Sequence, residues 1–92
     1  SEMEEIEMAL TDDEKMWDTI EEHGAPCKVN LFCDSKKTYT GPGEEYVDLW
    51  SIQDKKIPVD LEEIRRGKGN VLWGRLKDGF GWIDLRNVQL AE

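Results

Sequence analysis

Residues 71–85, Val-Leu-Trp-Gly-Arg-Leu-Lys-Asp-Gly-Phe-Gly-Trp-Ile-Asp-Leu, constrain the fold of this 92-residue chain more than any other stretch. Asp78-Gly79 is a hairpin signal, because a type I′ turn needs positive φ at both central residues and Asp and Gly tolerate it. With those two at the turn, Lys77 pairs with Phe80, Leu76 with Gly81, Arg75 with Trp82, Gly74 with Ile83 and Trp73 with Asp84. Strand side chains alternate between faces. Leu72, Gly74, Leu76, Gly81, Ile83 and Leu85 fall on one face, and Trp73, Arg75, Lys77, Phe80, Trp82 and Asp84 on the other. The first face reads as core. The second directs two tryptophans and two cations towards solvent or a ligand.

A chain of this length makes one domain, with a core near the lower limit for independent folding. The longest uninterrupted apolar run is three residues, so no direct membrane insertion is expected. No signal peptide is read at the N-terminus, which leaves the question of export open. The net charge of -9 is unevenly spread. Residues 1–26 hold ten acids against Lys15 alone, whereas residues 27–92 hold eleven acids and eleven bases. The acidity therefore belongs to an N-terminal arm. Nucleic acid is not an expected partner, because phosphate contacts need Lys and Arg clustered on one side.

Residues 1–10 read as an acidic linker, the alternative being a weak helix on the Met3, Ile6, Leu10 stripe. An N-terminal helix is predicted over 11–24. Thr11 is its N-cap, Glu14 completes a capping box, and Gly24 with Pro26 stops it. Met16, Trp17 and Ile20 share one face, which needs a cover, and the outward Phe32 is a candidate receiver. From Cys27 the period changes to two, with Cys27, Val29, Leu31 and Cys33 on the inner side. Ser35-Lys36-Lys37 reads as a polar loop, Gly41-Pro42-Gly43 as a turn and 46–52 as a strand. Residues 53–56 form another turn. Ile57, Val59 and Leu61 alternate as a further strand, with Pro58 marking an edge or a bulge. Residues 62–70 read as a charged loop, Arg86-Asn87-Val88 as a tight turn and Gln89-Leu90 as the closing strand. Short strands at this spacing predict a mainly β fold, a small antiparallel barrel with an N-terminal α-helix.

Residue types for catalysis are sparse. There is one His, no Ser/His/Asp order and no Gly-rich phosphate loop opening a helix, so enzyme activity is not expected. The acid pairs Glu44-Glu45 and Glu62-Glu63 read as solvated surface. His23, Cys27 and Cys33 are the only metal-ligand set, and six residues of strand separate the two thiols by about 20 Å. That is too far for a shared zinc ion or a disulfide, so no metal or cofactor is expected and both thiols read as buried small hydrophobes.

Thr40-Gly41-Pro42-Gly43-Glu44-Glu45-Tyr46 resembles the Ser-Gly-Pro-Gly-x-x-Tyr turn of bacterial SH3 domains. Trp73-x-x-Leu76, Asp78-Gly79, Gly81-Trp82-Ile83 and Val88 resemble the second half of the same fold, so the likeness covers residues 27–90. It implies an SH3-like barrel over 27–92 and a non-catalytic binding module of the kind found in extracellular and cell-envelope proteins. Asp84 and Asn87 stand where the SH3 domains that bind proline-rich peptides carry Pro and Tyr, which argues against that ligand class.

The outward aromatics carry the functional reading. Tyr39 and Tyr46 flank the Gly-Pro-Gly turn, Trp73 and Trp82 are diagonal neighbours, and Arg75 lies opposite Trp82 where it can stack on the ring. Arg65, Arg66 and Lys68 offer a small positive rim, or only a solvated loop. One reading makes Tyr39, Tyr46, Trp73, Trp82 and Arg75 a groove for a short peptide or the stem peptide of a cell-wall fragment. The other packs the same face under a loop or the helix, leaving an interaction domain for neighbouring protein domains.

Overall fold

Both central residues of the predicted turn take positive φ, Asp78 at 66° and Gly79 at 76°. The hairpin keeps the predicted register, with Trp73 opposite Asp84, Gly74 opposite Ile83 and Arg75 opposite Trp82. The Leu76 amide also donates to the Gly81 carbonyl at 2.7 Å. Around this hairpin the computed structural model describes residues 12–32, 35–53 and 58–91. The order is α1 (Asp12–His23), β1 (Cys27–Leu31), β2 (Lys36–Tyr39), β3 (Asp48–Ile52), β4 (Val59–Arg66), β5 (Leu72–Leu76), β6 (Trp82–Asp84) and β7 (Val88–Leu90). All pairings are antiparallel, in one sheet of order β3-β2-β6-β5-β4-β1-β7. Among the described residues β3 and β7 are its two ends and do not pair with each other, so the sheet is not closed. The acidic linker at 1–10, the Thr11 cap, Cys33 and the turn and strand residues 54–57 lie outside the described residues.

The core forms on the face that period-two reading assigned to it. Leu72, Ile83 and Leu85 are fully buried, as are Val29 of β1 and Leu61 of β4, with Leu31, Leu76 and Val88 nearly so. Burial of side chains of this size contributes about 1.5–3 kcal/mol each. Helix α1 lies over this core and supplies Ile20 and Trp17 to it, with Met16 packed at the edge. The Trp17 indole N–H donates to the Leu85 carbonyl at 2.7 Å. Arg66 at the end of β4 stacks 5.5 Å over the Trp17 ring and holds Glu21 through two hydrogen bonds, at 2.9 and 2.6 Å. The helix also covers the β7 edge. The Asn87 amide donates to Asp13 Oδ1 at 2.8 Å, and the Leu90 amide to the Met16 sulfur at 3.4 Å. Phe32 is not the receiver; it is 59% exposed.

Two segments read as loops are strands. Lys36 and Lys37 belong to β2, and Lys36 is buried. Its ammonium donates to Asp84 Oδ1 at 2.9 Å and to the Arg86 carbonyl at 2.7 Å, which replaces the water it gives up. The charge that marked Lys36 as loop is neutralised by a carboxylate 48 residues away, a pairing no local pattern reveals. Likewise β4 runs on through Glu62, Glu63, Ile64, Arg65 and Arg66, and the irregular segment is confined to 67–71. There Glu62 and Glu63 are met by Arg75 of β5 and Arg66 by Glu21 of α1, so the charges that read as loop have partners on neighbouring elements.

Candidate functional site

Register places the outward residues of four strands on one surface. Arg65 of β4 lies opposite Trp73, Glu63 opposite Arg75, Arg75 opposite Trp82 and Trp82 opposite Tyr39. Four of the five predicted site residues, Tyr39, Trp73, Arg75 and Trp82, are thus brought together. The expectation that both tryptophans face solvent is corrected: Trp73 is 3% exposed and Trp82 8%. Each has a cover from elsewhere in the chain. The Tyr39 ring stands edge-on to Trp73, with centroids 5.5 Å apart at 82°. Gly67 closes over the same indole, where a Cβ would stand 2.5 Å from the Pro42 carbonyl oxygen and 2.9 Å from Trp73 Cδ1. Glycine at 67 therefore lets the Gly-Pro-Gly turn, β4 and Trp73 meet. Over Trp82 the stacked cation is Arg65, at 5.7 Å.

Arg75 does not stack on Trp82 as expected. Its guanidinium is drawn to two carboxylates across the strand, Glu62 at 3.1 Å and Glu63 at 3.2 Å. The second contact is Coulombic only, since Nε is buried there without an aligned hydrogen bond. Tyr46 is separate from this group. Its ring lies on Gly41, which leaves it 44% exposed at the shoulder of the turn. The turn is held by the Gly43 amide on the Gly41 carbonyl and the Tyr46 amide on the Gly43 carbonyl, at 2.9 and 3.2 Å.

Between the turn and the 67–71 segment runs a cleft of about 530 Å³. Gly43, Glu44 and Glu45 form one wall, Lys68, Gly69 and Val71 the other, with Trp73 and Arg86 also lining it. The positive rim differs from the one read in the sequence. Arg65 is paired with Glu63, and Arg66 with Glu21 and Asp18, so neither offers a free charge. Lys68 keeps its place at the rim and Arg86 joins it. Among the described residues neither side chain has an ion-pair partner. Arg86 was missed because it stands in a tight turn whose only sequence signal is that of a turn.

Sequence reasoning also missed a second surface. Val47, Leu49, Trp50 and Phe80 are between 45% and 67% exposed, on and beside β3. Trp50 is edge-on to Phe80 at 6.0 Å, and its indole N–H donates to the Phe80 carbonyl at 3.2 Å. The available signal was the sequence Val-Asp-Leu-Trp-Ser-Ile, which puts apolar side chains on both faces of one strand.

Electrostatic shifts at this end of the fold are structural. The Arg66 hydrogen bonds hold the Glu21 carboxyl below its usual value and raise Arg66 in turn. Burial pushes the Cys27 thiol up, so it stays protonated and unreactive at neutral pH. His23 turns Nδ1 to the Gly24 carbonyl at 2.9 Å. Among the described residues no three His, Cys, Asp or Glu side chains gather as metal ligands, and no helix is long and apolar enough to cross a membrane. Comparisons with protein-family models, with curated proteins and with solved structures find no match to this chain.

Proposed function

We propose that this chain is a non-catalytic recognition module of bacterial SH3 type, its sheet rolled into a small barrel, that binds a short peptide in the Trp73 cleft. The observation that carries the reading is the charge order of the cleft. Glu44 and Glu45 line one wall, while Lys68 and Arg86, free of ion pairs among the described residues, line the other side. A short peptide with an amine at one end and a carboxylate at the other matches that order, and a peptidoglycan stem peptide has this chemistry. In this reading Lys68 and Arg86 meet the carboxylate and Glu44 and Glu45 the ammonium, with Trp73 and Val71 as the apolar wall, Tyr39 packed edge-on against Trp73 and Tyr46 at the shoulder of the turn. Trp82, under Arg65, and Arg75, between Glu62 and Glu63, hold the strands that present Trp73. A cell-envelope location follows from this ligand and from the SH3 resemblance.

The test is an amide and indole chemical-shift titration of the labelled protein with a soluble peptidoglycan fragment bearing its stem peptide. Shifts are expected at the Trp73 indole and the amides of Glu44, Lys68 and Arg86. Charge reversal of Lys68 and Arg86 together is expected to weaken binding about a hundredfold or more, since each hydrogen bond to a charged group is worth about 1.5–3 kcal/mol and every 1.4 kcal/mol is about tenfold. Absence of shifts around the cleft at high fragment concentration would sink the peptide reading. The second reading, an interaction domain with no small ligand, is favoured by a specific observation: the apolar surface left on β3.

A further inference from the structure

The two ends of the sheet are treated differently. Helix α1 covers β7, and its Asp13 and Met16 take up the amides of Asn87 and Leu90. Among the described residues nothing pairs with β3 on its far side. Edge strands of monomeric proteins are usually blunted by Lys or Pro, and β3, Asp-Leu-Trp-Ser-Ile, carries neither. Trp50 turns its backbone N–H and C=O inward, both to the Thr38 hydroxyl, at 3.2 and 3.1 Å. Alternation along an antiparallel ladder then aims the N–H and C=O of Leu49 and Ser51 at the open edge. The side chains beside that edge are the half-exposed Leu49 and Trp50, with Val47 before them and Phe80 next to Trp50.

We infer that β3 is a self-association edge, pairing antiparallel with β3 of a second copy about a two-fold axis at Trp50. Three observations select a second copy. Hydrogen-bonded pairs must use the outward groups, and a two-fold at Trp50 pairs Leu49 with Ser51 of the other copy on both sides of the axis. Trp50 then meets its counterpart at the non-hydrogen-bonded position, where Cα atoms are closest and aromatic pairs stabilise most. Phe80, already edge-on to Trp50, extends the cluster at each end of the pair. Finally, the sequence before β3 is acidic, Glu44-Glu45, and the sequence after it, Asp54-Lys55-Lys56, is net positive. An antiparallel copy is attracted at both ends by that order, whereas a parallel one is repelled.

Sedimentation equilibrium of the full chain, from micromolar to millimolar, reads the association directly. A monomer–dimer equilibrium is expected. Trp50→Lys and, separately, Leu49→Lys are expected to weaken it at least about tenfold, as loss of an aromatic or central apolar anchor does. Amide spectra of each variant establish that it is folded, and two independent sites guard against one that is not. In a mixed sample of differently labelled copies, cross-copy proton contacts are expected between Leu49 and Ser51. A monomer throughout the range overturns the inference. So does a dimer that both folded variants leave undiminished, or one whose cross-copy contacts lie away from β3.

Discussion

Trp73→Ala separates what the cleft needs from what the fold needs. Period-two reading puts Trp73 on the face opposite the core and Leu76 on the core face, so a Trp73 that met only solvent or a ligand would cost far less to truncate than Leu76. The structure reverses that expectation: Trp73 is 3% exposed and Leu76 5%. Truncating a buried aromatic costs about 3–5 kcal/mol, and a buried leucine about 2–5. The two variants should therefore be of the same order. For a domain of this size each kcal/mol moves Tm by about 4–8 °C, so Trp73→Ala should lower it by about 12 °C or more. Total stability of such domains is about 5–15 kcal/mol, which leaves the variant measurable in the cold. Thermal and urea unfolding followed by circular dichroism, with Leu76→Ala in parallel, give both numbers. The contacts that set the magnitude are the Tyr39 edge at 5.5 Å and the Gly67 segment pressed on the indole. A loss below about 0.5 kcal/mol, the scale of an ordinary surface substitution, would show that those contacts do not exist in solution.

Two further outcomes follow from the helix. Trp17→Phe should cost about 1–3 kcal/mol, because it keeps most of the apolar burial but leaves the Leu85 carbonyl without its indole donor; unchanged urea unfolding would mean that α1 is not docked through Trp17. The Glu21–Arg66 pair sets a pH dependence: Glu21 is held below its usual 4.5, so its contribution is fully present above that value and lost as pH falls through the lowered folded value. Glu21→Gln should flatten that acid limb of stability against pH by a small amount, since the pair is partly exposed. An acid limb of the same steepness in the variant would assign the effect to other carboxylates.

The hairpin, the helix and the inner face of β1 were legible because each rests on a local rule, whereas Val88, read as part of a tight turn, is the buried first residue of β7. Asp78-Gly79 specifies a turn by the φ values it tolerates, and a turn fixes register, hence which residues oppose each other in β5 and β6. Met16, Trp17 and Ile20 specify a buried helical face by spacing alone, and the structure docks that face on the core. Lys36 and residues 62–66 were illegible for the converse reason. Their strand state rests on partners far along the chain, Asp84 for Lys36 and the whole length of β5 for β4.

The tryptophan face shows where periodicity stops being informative. Alternation assigns Trp73 and Trp82 to the side opposite Leu72 and Ile83, and that assignment holds in the structure. It says nothing about what covers the second side. The answer depends on Gly67 approaching Pro42 and on Tyr39 turning its edge to Trp73, contacts that span 25 and 34 residues of sequence. The same blindness works in reverse on β3. There the apolar residues read as an ordinary strand, but among the described residues no second layer covers Val47, Leu49 or Trp50, and they are 45–67% exposed. Aromatic side chains on an outer face thus mark two different situations in one small fold. Where a glycine lets a loop close over them they stabilise the domain, and what the cleft above presents is charge, from Lys68, Arg86, Glu44 and Glu45. Where the strand is last in its sheet, the exposed rings and unpaired backbone groups together form the surface on which a second strand gains most by adding.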